Sequence, residues 1–333
     1  MNIVKLDMNE MPYAPPERVI AAGQKGLSKL NRYADAQDLR QLRELLAQYT
    51  GVARQHVVLS PGSDLLLREI IHAFSRGRQV VTVSPSFLPT VQFAERFAPK
   101  RLSIRLSPPD FRLDPALLIR TLEEPCLVII DNPNNPTGQM LLDPGLVATI
   151  ADRQGSLIVV DEAYFEFSGI TCAQLVTDHP NLCVVRTLDK AFGLAGARVG
   201  YAVAGEIFLE ALSVLFAFLP QPSLCAAIAA LQNPRYMRQN LRQAITERAW
   251  LQDALSSLGA KVYPSSANFL LVRSRVPDVA QRLRELGVWV SDVSNQLPPG
   301  CIRVSVGTRE QNEVFVKRYN QIISHIQQTQ HGG

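Results

Sequence analysis

Four short apolar runs rich in valine and isoleucine, Val80–Val83, Cys126–Ile130, Leu157–Val160 and Leu182–Val185, constrain this chain most. None alternates apolar with polar residues. A strand that is apolar on both sides needs cover on both sides, which is the condition inside a parallel sheet. Helical spacing lies between most of these runs. Within Asp38–Tyr49 the residues Leu39, Leu42, Leu45, Leu46 and Tyr49 share one face, and Gly51 follows as a stop. Ser63–Phe74 is predicted as a second helix, opened after Gly62, and Pro144–Arg153 as a third, following Asp143. The alternation predicts an α/β fold, with helices covering a mainly parallel sheet.

The last third reads differently. Pro220 and Pro222 break the chain, and a long helical stretch runs from about Tyr236 to Leu258. Phe269–Val272, Val288–Val290 and Ile302–Val304 are predicted strands, and Arg309–Ile326 a final helix. This is a smaller α+β unit. A length of 333 residues exceeds what one core usually holds. The expected organisation is an N-terminal arm (1–30), a large domain (31–235) and a small C-terminal domain (236–333), without internal repeats.

Composition excludes several classes of function. With 34 basic and 30 acidic residues the net charge is +4, and no basic run suggests nucleic acid. The apolar runs are too short to span a bilayer, and the first ten residues lack a charged-then-apolar signal layout. The five cysteines (126, 172, 183, 225, 301) are scattered, which predicts buried free thiols in a reducing, cytoplasmic setting. The five histidines join no cysteine or carboxylate cluster, so no metal site is expected.

Ligand sites in open α/β sheets lie beyond the carboxyl ends of the strands, and the chemistry-bearing residues fall there. In Arg186-Thr-Leu-Asp-Lys-Ala-Phe-Gly193, Thr187 stands three positions before Lys190, and Arg198 follows eight positions after it. A lysine amine forms a Schiff base with an aldehyde, and a hydroxyl with a guanidinium holds a phosphate. Aldehyde plus phosphate describes pyridoxal 5′-phosphate. Alone, Lys190 reads as a solvated surface lysine. The run Leu157–Val160 leads into Asp161-Glu-Ala-Tyr164. Asp161 is either the carboxylate that keeps a pyridine nitrogen protonated or the cap of a helix. Tyr164 is placed to bond the ring's 3′-oxygen.

Asp131-Asn-Pro-Asn-Asn-Pro-Thr-Gly138 is a stiff turn that presents Asn135 to the 3′-oxygen and a substrate carboxylate, or is simply a turn. Gly62-Ser63-Asp64 opens a helix whose N–H groups suit a phosphate or an ordinary cap. There the backbone of Asp64, and not its carboxylate, is expected to be used. Arg303, inside a predicted strand, needs a partner: a substrate anion or an internal salt bridge.

In this order and spacing, the five segments resemble the fold type I pyridoxal-phosphate aminotransferases, and most nearly the histidinol-phosphate aminotransferase family. The resemblance runs from Asn9-Glu10 to about Thr308. It implies that Lys190 carries the cofactor and then moves the proton at the substrate carbon. Asp161 would pair with the ring nitrogen, and Asn135 and Tyr164 with the 3′-oxygen. Gly62, Ser63, Asp64, Thr187 and Arg198 would line the phosphate site, and Arg303 would hold the substrate anion. Tyr33 looks like the tyrosine that reaches the phosphate from a neighbouring subunit, which implies a homodimer. Asn9-Glu-Met-Pro-Tyr13 looks like an arm closing over an amino donor or a 2-oxo acid acceptor, with Tyr13 towards the substrate.

Four positions depart from the family pattern. Asp189 precedes the lysine where serine or threonine is usual. Thr90, in Pro85-Ser-Phe-Leu-Pro-Thr90, stands where an aromatic ring usually stacks on the cofactor, and Phe87 is the available substitute. Ser291 stands where a second substrate-binding arginine is usual, and Met11 where an N-terminal tyrosine is usual. A phosphate dianion is best held by more than one cation, so the donor stays open between amino acids and amino phosphates. Two other activities stay open: decarboxylation of the threonine-phosphate decarboxylase type, and a catalytically idle binding protein on the same fold.

Overall fold

The computed structural model describes residues 3–107, 109–212 and 218–331. Its strands are β1 (Val4–Leu6), β2 (Val57–Ser60), β3 (Gln79–Ser84), β4 (Lys100–Arg105), β5 (Cys126–Asp131), β6 (Leu157–Asp161), β7 (Leu182–Thr187), β8 (Gly200–Ala204), β9 (Lys261–Val262), β10 (Phe269–Arg273), β11 (Val288–Asp292) and β12 (Cys301–Ser305). Seven of them form one sheet in the order β2-β8-β7-β6-β5-β3-β4. The pairs β3–β4, β3–β5, β5–β6 and β6–β7 are parallel, and β8 runs antiparallel to both β7 and β2. Every residue of β5, β6 and β7 is buried, as their unbroken apolar sequences predict.

Side chains alternate across the strands, so each strand feeds two cores. Val128, Ile130, Ile158, Val160 and Val184 face one, and Leu127, Ile129, Val159, Cys183 and Val185 face the other. Fully burying each such side chain stabilises the fold by about 1.5–3 kcal/mol relative to leaving it in water.

The flanking helices end where the sequence punctuates them. The helix Ala36–Thr50 starts at Asp35, whose side chain accepts from Gln37 N at 2.8 Å, and stops at Gly51 with φ 73°. Pro144–Ala151 is capped by Asp143, which accepts from Leu146 N at 2.9 Å. The final helix, Arg309–His331, runs past the Ile326 expected from periodicity. The strands β1, β2, β4, β8 and β9 were not apparent from sequence. In β4, Lys-Arg-Leu-Ser-Ile-Arg sits at a sheet edge, where charge replaces the apolar run.

Five strands form the second sheet, ordered β1-β11-β12-β10-β9, over a separate core that includes Leu251, Leu270, Val304 and Phe315. Residues 4–6, expected in an N-terminal arm, form β1 and pair in parallel with β11. This pairing carries residues 7–9 past the carboxyl ends of β5–β7. All five cysteines are free: Cys126, Cys172, Cys183 and Cys301 are buried and Cys225 is half-buried.

Candidate active site

The carboxyl ends of β5, β6 and β7, with residues from β11 and β12, enclose a cavity of about 540 Å³. Lys190, Asp161, Tyr164, Asn135, Ser63, Asp64, Thr187, Arg198 and Arg303 all line it. Residues more than 240 positions apart in the chain therefore share one chamber, as five separate motifs required.

At one end Asp161 closes β6, 5% exposed, and accepts from Ala163 N at 3.1 Å. Burial pushes its pKa up to about 7, and Asp131, its register partner on β5, pushes the same way. The Ala163 N–H and the charge on Lys190 oppose them. Such a carboxylate lacks a cation, and a protonated ring nitrogen would supply one.

Burial raises the Asp131 carboxyl as well, but four neutral donors satisfy it. It accepts from Ser86 Oγ at 2.7 Å, Phe87 N at 3.2 Å, Asn134 Nδ2 at 3.2 Å and Asn135 N at 2.6 Å. It thus fastens the Asn-Pro turn and the loop after β3, a role the sequence reading missed although Asp131 ends the strand beside Asp161.

The Tyr164 hydroxyl accepts from Asn9 Nδ2 at 3.0 Å and Asn135 Nδ2 at 3.5 Å. Asn9, buried with φ 54°, is itself fixed: its N–H donates to Ser305 Oγ at 2.8 Å and its carbonyl accepts from Asn268 Nδ2 at 3.0 Å. Lys190 Nζ donates to Met8 O at 3.3 Å and lies 5.7 Å from the Tyr164 ring centroid. The chain after β1 therefore supplies the hydrogen bonds that hold both the lysine and the tyrosine.

Arg303 reaches in from β12. Its Nη1 donates to Asn135 Oδ1 at 2.8 Å and its Nη2 to Asp7 O at 2.5 Å, while the buried Nε has no partner. Both bonded partners are neutral, so the internal-salt-bridge alternative does not hold, and the positive charge is available to an anion. Ser291 sits directly opposite Arg303 in the β11–β12 pairing. No second arginine occupies that place.

The other end is a cup for a small anion. The helix Ser63–Phe74 starts at Gly62 with φ 95° and no side-chain cap, which leaves its first N–H groups to a ligand. A Cβ on Gly62 would collide with Arg198 Nη2 and Asp64 Oδ1, and one on Gly200 would collide with the Gly62–Ser63 backbone. Only glycine lets these walls approach. Thr187 Oγ1 lies between Val199 O, to which it donates at 3.2 Å, and Asp189 N, from which it accepts at 3.0 Å.

Arg198 closes the cup and bonds two carboxylates, Asp64 through Nη2 at 2.5 Å and Asp189 through Nη1. The Asp64 carboxylate faces Arg198, and Asp189, which stands where serine or threonine is usual, points into the cup.

Behind the cavity, Arg186 is fully buried. Its Nε and Nη2 donate to Glu162 Oε2 at 3.0 and 2.8 Å, and its guanidinium lies 3.6 Å from the Phe165 ring centroid. This pair ties the residue after Asp161 to the residue before Thr187. Removing one partner of such a buried pair costs about 3–5 kcal/mol.

Three sequence-nominated positions lie elsewhere. Thr90 is buried within the helix Leu88–Phe97, and Phe87, Leu88 and Pro89 line the cavity in its stead. Tyr13 is outside the cavity lining, its hydroxyl buried without a partner. Tyr33 is 82% exposed and packs against Phe218, ring centroids 5.2 Å apart. Among the described residues no cluster of His, Cys, Asp or Glu could hold a metal ion, and no helix is long and apolar enough to cross a membrane.

The lysine and the cation-deficient Asp161 fit the aldehyde and the ring nitrogen of pyridoxal 5′-phosphate, and the glycine-walled cup offers its phosphate the uncapped N–H groups of a helix and Arg198. The chain also resembles known proteins along nearly its whole length. It is 36% identical to the histidinol-phosphate aminotransferase of Thermoanaerobacter pseudethanolicus, over 96% of this chain and 93% of that one. It is 35% identical to that of Sulfurisphaera tokodaii, over 96% and 90%. Among solved structures, histidinol-phosphate aminotransferase from Sinorhizobium meliloti in complex with pyridoxal-5′-phosphate superimposes with a TM-score of 0.88, covering 98% of this chain and 92% of that one at 24% identity. The aminotransferase class I and II family matches residues 1–318, and the chain belongs to that family as a transaminase dependent on pyridoxal 5′-phosphate.

Proposed function

We propose that this enzyme moves an amino group from a donor bearing one anionic group near its amine to a 2-oxo acid, with Arg303 holding that group. The observation that carries the reading is a guanidinium whose bonded partners are both neutral and whose Nε faces no acceptor. Bound pyridoxal 5′-phosphate supplies an aldehyde and an electron sink. The chain supplies the rest. Asp161 would keep the ring nitrogen protonated. Asn135 and Tyr164 would orient the 3′-oxygen, and Gly62, Ser63, Thr187 and Arg198 would anchor the phosphate. Lys190 would hold the aldehyde, and its Nζ would serve as the base that moves the proton at the donor's α-carbon. Met8 O accepts a hydrogen bond from this nitrogen and so helps to place it.

The same reading makes residues 1–30 an N-terminal arm, residues 31–235 the cofactor domain and residues 236–333 the small domain that carries Arg303. It also makes the enzyme a cytoplasmic homodimer. The exposed Tyr33 would reach the cofactor phosphate of the other subunit, and Tyr13 the substrate. The relatives are named for histidinol phosphate, which is the first donor to try. With Ser291 opposite Arg303, an amino acid with a single carboxylate fits the cationic end equally well.

The test is the visible spectrum of the cofactor-loaded enzyme with a panel of donors, including glutamate and histidinol phosphate. Conversion of the cofactor to its amine form by one anionic donor, and not by its uncharged analogue, supports the reading. Conversion by charged and uncharged donors alike removes Arg303 from it. Release of carbon dioxide without cofactor conversion would establish decarboxylation instead.

A further inference from the structure

The cofactor cup holds one more negative charge than its ligand tolerates. The cations lining the whole cavity are Lys190, Arg198 and Arg303, against the carboxylates of Asp64, Asp131, Asp161, Asp189 and Asp292. Among the described residues of the cup, Arg198 is the one cation besides the lysine, and it is already shared between Asp64 and Asp189. A phosphate dianion entering there meets both carboxylates.

Their freedom differs. The Asp64 side chain is 46% exposed and can turn into water, whereas that of Asp189 is 6% exposed. Asp189 is also held at its backbone, where its N–H donates to Thr187 Oγ1. The cup cannot widen around it, because Gly62 and Gly200 pack backbone against backbone. One Asp189 oxygen is bonded to Arg198, and the other, Oδ1, is buried without any partner.

We propose that Asp189 is a ligand of the cofactor phosphate that binds as the neutral acid, so that uptake of the cofactor also takes up one proton from solvent. This rests on assigning the phosphate to the Gly62–Arg198 cup. Like charges at contact distance do not both stay ionised, and one site keeps a proton. Placed between Asp189 and a phosphate oxygen, that proton turns a repulsion into a hydrogen bond, the service a serine or threonine hydroxyl renders without a proton from solvent. It also releases Arg198 from Asp189 to the phosphate. The charged groups facing Asp189 are Arg198 from the turn before β8, Lys190 from its own loop and, across Arg198, Asp64 from the helix Ser63–Phe74. Burial already pushes the Asp189 carboxyl up, against the pull of Arg198 and Lys190, so little further shift is needed.

The experiment is calorimetric titration of the full-length apoprotein with pyridoxal 5′-phosphate and, in parallel, with pyridoxal. Each is run in two buffers of different protonation enthalpy at about pH 8, where a free phosphate ester is a dianion. The expected result is about one more proton taken up with the phosphate ester than with pyridoxal, and loss of that difference in Asp189→Ser and Asp189→Asn. In step with it, the ratio of wild-type to Asp189→Ser dissociation constants should rise by up to about tenfold per pH unit above the Asp189 pKa. Equal proton uptake for the two ligands, or a difference that survives in both variants, overturns the proposal. Should neither variant fold, the wild-type comparison alone decides. Equal affinity for pyridoxal and its phosphate would overturn the cup assignment as well, whereas tighter binding of the phosphate without extra proton uptake overturns only the role of Asp189.

Discussion

The two ends of the cavity solve opposite charge problems. At the ring end Asp161 is a buried carboxylate without a cation, and its pKa of about 7 records the deficit. At the phosphate end Arg198 is a cation with two carboxylates on it. The ring end is left unbalanced for what the cofactor brings, and the phosphate end is balanced before the cofactor arrives. Binding should therefore relieve Asp161 and disturb Asp189, and the two ends should respond differently to substitution and to pH.

Lys190 lies between them, so its loss is expected to have the largest effect. Lys190→Ala should lower amino transfer by several orders of magnitude, with the cofactor no longer fixed to the chain by borohydride and read as added mass. The variant should still bind the cofactor through its phosphate, since the cup is intact. Full activity in Lys190→Ala would overturn the assignment of the whole cavity.

Asp161→Asn separates the ends. It removes the ring-end charge and leaves the cup untouched, so kcat should fall by about 10²–10³, the usual loss for one preorganised charge. The cofactor dissociation constant should change far less. Equal losses in both would mean the two ends act as one unit.

Arg303→Ala probes the substrate side of the ring end. A charge-assisted hydrogen bond contributes about 1.5–3 kcal/mol, so KM for an anionic donor should rise about 10- to 100-fold with kcat within a few-fold. An unchanged KM would remove Arg303 from that contact.

The sequence made the ring end legible and the phosphate end only partly so. Asp161, Asn135 and Lys190 each close a strand or a stiff turn, where an apolar run gives way to one polar residue, and β5–β7 carry them together as read. The cup depends on distances that local pattern does not contain. Asp64 and Asp189 are 125 positions apart, and only the fold brings both to Arg198. The hydrogen bonds that residues 7–9 make to Arg303, Lys190 and Tyr164 were hidden for a related reason. β1 is three residues long and finds its partner in β11, near the other end of the chain. Asp131 was passed over because, beside an Asn-Pro turn, a carboxylate that organises backbone reads like one that only caps it.

The smallest effect is the most direct measure of the ring-end deficit. In the apoprotein the Asp161 pKa is raised from 3.8 to about 7 by burial and by Asp131. Between those values the folded state keeps a proton that the unfolded chain has lost, so stability is highest below the lower pKa and falls as pH rises through the upper one. From about pH 5 to about pH 7 this one group should cost the apoprotein roughly 2 kcal/mol, a few degrees of melting temperature. Glu166, raised to about 7 mainly by burial, and Asp131 and Asp189, which burial also raises, add slopes of the same sign, so the wild-type curve alone does not isolate Asp161. Asp161→Asn should remove its share and leave theirs. If melting curves of the apo wild type and apo Asp161→Asn run parallel across this range, Asp161 carries no deficit, and the contrast between the two ends fails at the ring end.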